Sequence, residues 1–400
     1  MQISDLALEQ KLTPLLRQAY RPMFLFGAAF SAIAMLLWGL VLADYIKLSP
    51  FNNVMFWHSH EMIFGFVSAI VIGFLLTAVQ NWTGLRAPHG NTLLFITVLW
   101  LAGRIVLLFG QSLPLIMVAA IDLSFLPICA ILLAKPLIKT GQQRNLFFIP
   151  VLALLTICNL LMYIGVAYQR YDIQQLGSQN AVWLITLLMT IVGGRVLPMF
   201  TANGTQTKKT EPMVWLDRIA LGSLWLIFVV HIFTLTNYIP AYAISALFAI
   251  SAIAIAIRCA RWKFWITVKV PLLWSLHIAY WFIPIGLALY SARYASFAIS
   301  NSVALHALTA GAMGSMILSM MARVSLGHSG RVLKPKAVMS VAFILIIIAA
   351  ISRTALVSIW PVETTHWLML GVAAWCLAYL LYVIAYFPIL TTPRPDGRPG

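Results

Sequence analysis

About twelve runs of roughly twenty apolar residues, joined by short polar loops, fill this sequence and leave no stretch for a water-soluble core. A run of ~20 apolar residues is the length an α-helix needs to cross the ~30 Å hydrocarbon layer of a bilayer. The runs fall at 22–43, 55–79, 92–110, 114–134, 146–168, 180–200, 215–236, 239–257, 270–290, 297–321, 337–359 and 366–388. Pro and Gly inside several of them are tolerated, because packed membrane helices re-satisfy the freed backbone groups. The expected fold is therefore an all-α polytopic integral membrane protein, about twelve transmembrane helices in one bundle. Residues 1–20 read as a cytoplasmic segment compatible with an interfacial helix, 21–388 as the membrane domain and 389–400 as a cytoplasmic tail. No cleavable signal peptide is visible in residues 1–20, which mix acidic and basic positions.

Charge decides orientation. The chain is 62% hydrophobic and 9% charged, with a formal net charge of +16. No basic stripe lies on a soluble segment, so the excess does not point to nucleic acid. It sorts as a topogenic signal instead. If both termini share one side, 20 of the 26 Lys and Arg residues gather there. Lys47, Arg170 and Arg293 fall on the other side, and Arg104, Arg195 and Arg353 lie inside spans. The positive-inside rule then makes both termini cytoplasmic. An odd number of spans would scramble this sorting. The four cysteines, Cys129, Cys158, Cys259 and Cys376, form no CxxC pair and read as small buried hydrophobes.

Ionisable residues inside spans are costly and mark candidate sites. The second span opens FWHSHEMIFGF, with His58, His60 and Glu61 where lipid would penalise them. On an ideal helix His58 and His60 point ~200° apart, so each serves a different neighbour unless the helix start is unwound. Small residues at Gly65, Ala69 and Gly73 form a close-packing stripe, and Ala307, Gly311, Ser315 and Ser319 form another in the tenth span. His58, His60, His231, His306 and His366 gather in the outer half with Glu61, Asp122 and Arg353, while His277 lies deeper, as does Arg195. His89 and His328 read as loop residues.

Imidazole suits haem iron and copper, and bundle sites draw histidines from several helices. His58, His60, His306, His231 and His277 are the candidate ligands, each with a bland alternative as a hydrogen-bonded core residue. Glu61 and Asp122 read as proton relays, as supports hydrogen-bonded to a ligand histidine, or as buried partners of Arg104 or Arg353. Arg195 and Arg353 could pair a haem propionate. The thioethers of Met62 and Met313 suit copper but more often fill space.

The segments RPMFLFGAAF, WHSHEMIFGF, GFLLTAVQNWTG, GGRVLPMFTANG, HALTAGAMGSM, ARVSLGHSGR and PRPDGRPG, spread over residues 21–400, resemble the NnrS family of bacterial membrane proteins. The resemblance implies a twelve-span inner-membrane protein that contains haem, b-type, and copper. It also implies a role in the nitric oxide response, protection from nitrosative stress or denitrification, with nitric oxide as the small gaseous ligand. It adds His328 to the metal candidates and Arg331 to the propionate partners. Two other readings stay open, a proton-coupled twelve-helix transporter or exporter and a membrane redox enzyme acting on nitric oxide.

Overall fold

The structure, a computed structural model, describes residues 10–398. Among these, twelve helices are long and apolar enough to cross a membrane: α1 (Tyr20–Leu42), α2 (Val54–Thr83), α3 (Gly90–Phe109), α4 (Leu115–Lys139), α5 (Gln143–Ala167), α6 (Tyr171–Thr205), α7 (Val214–Ile232), α8 (Ala241–Arg261), α9 (Pro271–Tyr294), α10 (Asn301–His328), α11 (Ala337–Ile359) and α12 (Pro361–Thr391). The protein is an all-helical membrane protein. Pro136, Pro198, Pro284 and Pro388 stand inside these helices, as membrane helices permit. Large side chains such as Ile33, Leu101, Ile131, Ile253 and Ile344 are exposed, a surface suited to lipid rather than water. The cytoplasmic N-terminal segment expected over 1–20 lies partly outside the described residues, as does the last part of the tail.

Two helices run past their expected ends. Helix α6 starts at Tyr171 and reaches Thr205, because YDIQQLGSQN has no proline and its one glycine, Gly177, packs closely against Cys158 and Met162. Helix α10 continues to His328, since the first residue that forces a turn is Gly330 at φ +70°. His328 is thus the last residue of a helix, not a loop residue.

The helices sort into two compact units, the first comprising Met1–Ala181, Met321–Lys334 and Tyr379–Gly400, the second Val182–Met320 and Pro335–Ala378. In the first unit the Gly65, Ala69, Gly73 stripe of α2 lies against α1. A Cβ on Gly73 would stand 2.7 Å from the Met23 Cβ, and one on Gly27 2.8 Å from Ile70 Cδ1. The backbones approach because these positions carry no side chain. In the second unit α9 and α10 interlock in the same manner, Gly286 receiving Leu308 and Gly311 receiving the Phe282 ring.

The helices are not α-helical throughout. Wider π-helical stretches interrupt α2 at Glu61–Val67, α10 at Ala307–Gly314 and α11 at Ser352–Leu356. Such insertions commonly mark functional positions. Two of them begin directly after a histidine, His60 and His306.

Replacing Gly73 with Val should overpack the α1–α2 contact and cost about 1–3 kcal/mol. A lowered thermal midpoint in detergent is the expected result. An unchanged midpoint would show that the two helices are not held at this distance.

Candidate functional site

In the first unit, five polar side chains from four helices close into one buried network. Asn53 starts α2 by accepting the Phe56 N–H at its side chain, 2.9 Å. Two turns later the π-helical stretch begins, and His60 and Glu61, both fully buried, end up facing the same neighbours. His60 Nδ1 lies 3.1 Å from Glu61 Oε1, and His60 Nε2 lies 3.0 Å from Asp122 Oδ2 and 2.8 Å from Asn159 Oδ1. Arg104 donates from Nη1 to Glu61 Oε1 at 2.8 Å and from Nη2 to Asp122 Oδ1 in a short contact. Asn159 Nδ2 donates to Asp122 Oδ2 at 2.8 Å.

Two glycines make room for it. Gly65 of α2 has the Arg104 guanidinium and Glu61 where a Cβ would stand, and Gly103 of α3 has Asp122 Oδ1 at 3.2 Å. Trp100 Nε1 donates to the Gly65 carbonyl at 2.9 Å, tying α3 to the π-helical backbone. Because both imidazole nitrogens face accepting oxygens, His60 donates at both, which is the imidazolium form. Two cations then balance two carboxylates away from water. Glu61 and Asp122 are buried partners of Arg104, one of the roles expected of them, and both also hydrogen-bond His60. In this arrangement His60 has no nitrogen left for a metal.

The remaining histidines are each used singly. His58 points away from the network, half-buried, and stacks on Trp38 with ring centroids 4.3 Å apart and 10° between planes. His231 donates from Nδ1 to the Ile227 carbonyl at 2.8 Å and packs among Trp183 and Phe248. His277 Nε2 hydrogen-bonds Thr201 Oγ1 at 2.8 Å on α6, the helix that also carries half-buried Arg195. His366 is exposed beside Glu363, and the His89 ring bonds the Ala87 carbonyl. His328 rests near the Tyr20 ring, 5.7 Å between centroids. Among the described residues no three His, Cys, Asp or Glu side chains form a group that could hold a metal ion. The expected convergence of several histidines on one metal is absent there, because hydrogen bonds and ring contacts have engaged them one at a time.

His306 differs. It ends the first turns of α10 directly before the π-helical stretch, half-buried, and its Nδ1–H donates to the Ser302 carbonyl at 2.7 Å. Arg353 donates from Nη2 to the Ser302 hydroxyl at 2.6 Å, out of the π-helical stretch of α11. One serine therefore brings together an imidazole of fixed tautomer and a guanidinium.

One polar knot was not foreseen. Arg258, sorted among topogenic charges, is buried near the end of α8. Its Nε lies 2.7 Å from Asp217 Oδ1, its Nη1 donates to Tyr280 OH at 3.1 Å, and its guanidinium lies over the Trp262 ring. Gly194 abuts this guanidinium and Gly193 abuts Tyr280. The doubled glycine ahead of Arg195 was the available signal.

The family model described as NnrS protein matches residues 14–394, nearly the whole chain. The chain belongs to the NnrS family. No curated protein matches it. The segments that resemble NnrS proteins now have physical content: WHSHEMIFGF builds the buried network, GGRVLPMF the contact with Arg258 and Tyr280, and HALTAGAMGSM the π-helical stretch after His306. ARVSLGHSGR and PRPDGRPG meet each other, with Arg394 Nη1 donating to the His328 carbonyl at 2.8 Å.

Arg104→Gln should leave two buried carboxylates sharing the single cation of His60 and cost about 3–5 kcal/mol, the usual penalty for breaking a buried ion pair. Adding Glu61→Gln removes one of the carboxylate charges and should recover part of the loss. Thermal unfolding of the two variants checks this. Equal stability of Arg104→Gln and the parent would dismiss the network as a support of the fold.

Proposed function

We propose that this protein binds b-type haem through His306 and acts in the bacterial response to nitric oxide and nitrosative stress. The observation that carries the reading is the Ser302 junction. An Nδ1–H held at 2.7 Å by a carbonyl places the imidazole lone pair on Nε2, the form in which histidine ligates iron. The guanidinium of Arg353, 2.6 Å from the same serine, is a cation of the kind that pairs with propionate. These residues fit a haem. Family membership supports the same reading.

When bound, the haem supplies iron with a coordination position for a small gaseous ligand. His306 would hold the iron and Arg353 a propionate. Gly311 and Gly314 admit the Phe282 and Trp375 rings against the π-helical stretch, giving it an apolar flank. Copper, expected alongside haem, has no group of three His, Cys, Asp or Glu side chains to hold it among the described residues. The sorting of basic residues supports an inner-membrane location with both termini cytoplasmic.

The buried His60–Glu61–Arg104–Asp122 network favours a second reading, a proton-coupled transporter, since such carboxylates also serve proton pathways. A redox enzyme acting on nitric oxide would in addition turn it over. Haem retention separates the first and third readings from the second, and catalytic consumption of nitric oxide separates the third from the first.

The purified protein should show a Soret band, oxidised and dithionite-reduced, that shifts on addition of nitric oxide. His306→Ala should lose the band, and Arg353→Gln should weaken haem retention by about 10-fold or more. A parent protein without visible absorbance after expression with ample haem would end the haem reading and favour transport. A full band in His306→Ala would move the iron to another histidine.

A further inference from the structure

Arg21 is fully buried at the first turn of α1, yet among the described residues no carboxylate pairs with it. Its Nη1 donates to the Leu390 carbonyl at 2.9 Å and the Thr392 carbonyl at 2.8 Å, at the end of α12. Its Nε and Nη2 have no partner among the described residues. Arg331, in the turn after α10, donates from Nη2 to the hydroxyl of that same Thr392 at 3.2 Å, and its Nη1 is buried without a partner among the described residues. Among the described residues, Arg21 feels the Tyr20 hydroxyl beside it and the like charges of Arg17 and Arg331. Asp396, the carboxylate in the adjoining tail, is already bidentate with Arg394 at 2.9 and 2.6 Å.

Two guanidinium groups gathered at one threonine repel each other unless an anion lies between them. The start of α1 adds the positive end of a helix dipole at the same place. Tyr20 OH, buried and without a partner among the described residues, offers a further donor from α1. Three unspent guanidinium nitrogens on two forks, backed by this hydroxyl, match the several oxygens of a phosphate better than a single-point acceptor such as chloride.

We propose that Arg21, Arg331 and Tyr20 bind a phosphate group, completing the junction of α1, α10 and α12 at the basic end of the first unit. The site stands apart from the haem reading, since all of its residues belong to the first unit and His306 and Arg353 to the second. The phosphate comes either from a phospholipid headgroup or from free phosphate.

The test uses the full-length protein in detergent. Thermal unfolding is followed with inorganic phosphate against chloride at equal ionic strength, and lipid phosphorus is measured after exhaustive delipidation. Arg21→Gln also loses its hold on α12, so Arg331→Gln is the main variant, with Arg331→Lys keeping charge without the fork. A free-phosphate site should raise the parent midpoint by about 2 °C or more, with the rise lost in Arg331→Gln and reduced in Arg331→Lys. A headgroup site should retain lipid phosphorus near one per chain in the parent and much less in Arg331→Gln. No phosphate response together with no retained phosphorus would overturn the proposal. So would loss of the Soret band in Arg331→Gln without any change in phosphate binding, since the guanidinium would then serve a cofactor carboxylate.

Discussion

A guanidinium clamped between two carboxylates is what the first unit is built around. Arg104 bonds Glu61 and Asp122 at once, and His60 bonds the same Glu61 oxygen and the other oxygen of Asp122. None of these groups reaches water, so none can be left out without exposing the others to the full cost of a bare charge in an apolar medium. That condition fixes the register of α2 against α3, α4 and α5 more tightly than apolar packing can. Apolar surfaces in lipid slide at little cost, because lipid tails are as apolar as leucine. An ion network tolerates no such slippage.

The π-helical stretch of α2 begins at Glu61, beside this network. Its widened backbone offers the Gly65 carbonyl to Trp100. A second unit repeats the device at His306, with glycine again five residues after the histidine, Gly65 in one case and Gly311 in the other. In both, the glycine marks where a neighbouring side chain crowds the widened turn, Arg104 against Gly65 and Phe282 against Gly311.

The spans were legible because lipid imposes one simple length rule, and the twelve helices fall where the apolar runs lie. The Gly65, Ala69, Gly73 stripe was legible for a similar reason, as only a close neighbour explains small residues at that spacing. Partner choice was not legible. Glu61 and Asp122 had two candidate arginines, Arg104 and Arg353, and nothing in their spacing along the chain selects one. The structure gives both to Arg104, while Arg353 goes to Ser302. Equal depth in a membrane does not mean a shared site, and His58 and His60, expected to point apart, do meet different helices.

The arginines carry the broader lesson. The positive-inside rule counts every Lys and Arg near a helix end as a label of sidedness. Three of those labels, Arg21, Arg258 and Arg394, turn out to be structural: Arg21 ties α1 to the end of α12, Arg258 ties α8 to Asp217 and Tyr280, and Arg394 ties the tail to His328. The two functions are compatible because both place a guanidinium at the interfacial end of a span. They differ in what the charge faces. A topogenic arginine remains in water, whereas a buried one must find acceptors. Arg258 has a carboxylate and Arg394 has Asp396, but Arg21 has only helix carbonyls and a like-charged neighbour. Helix-end carbonyls bear about half an elementary charge in sum. That is too little to neutralise two guanidinium groups, and the deficit is what makes the end of α1 a place for an anion.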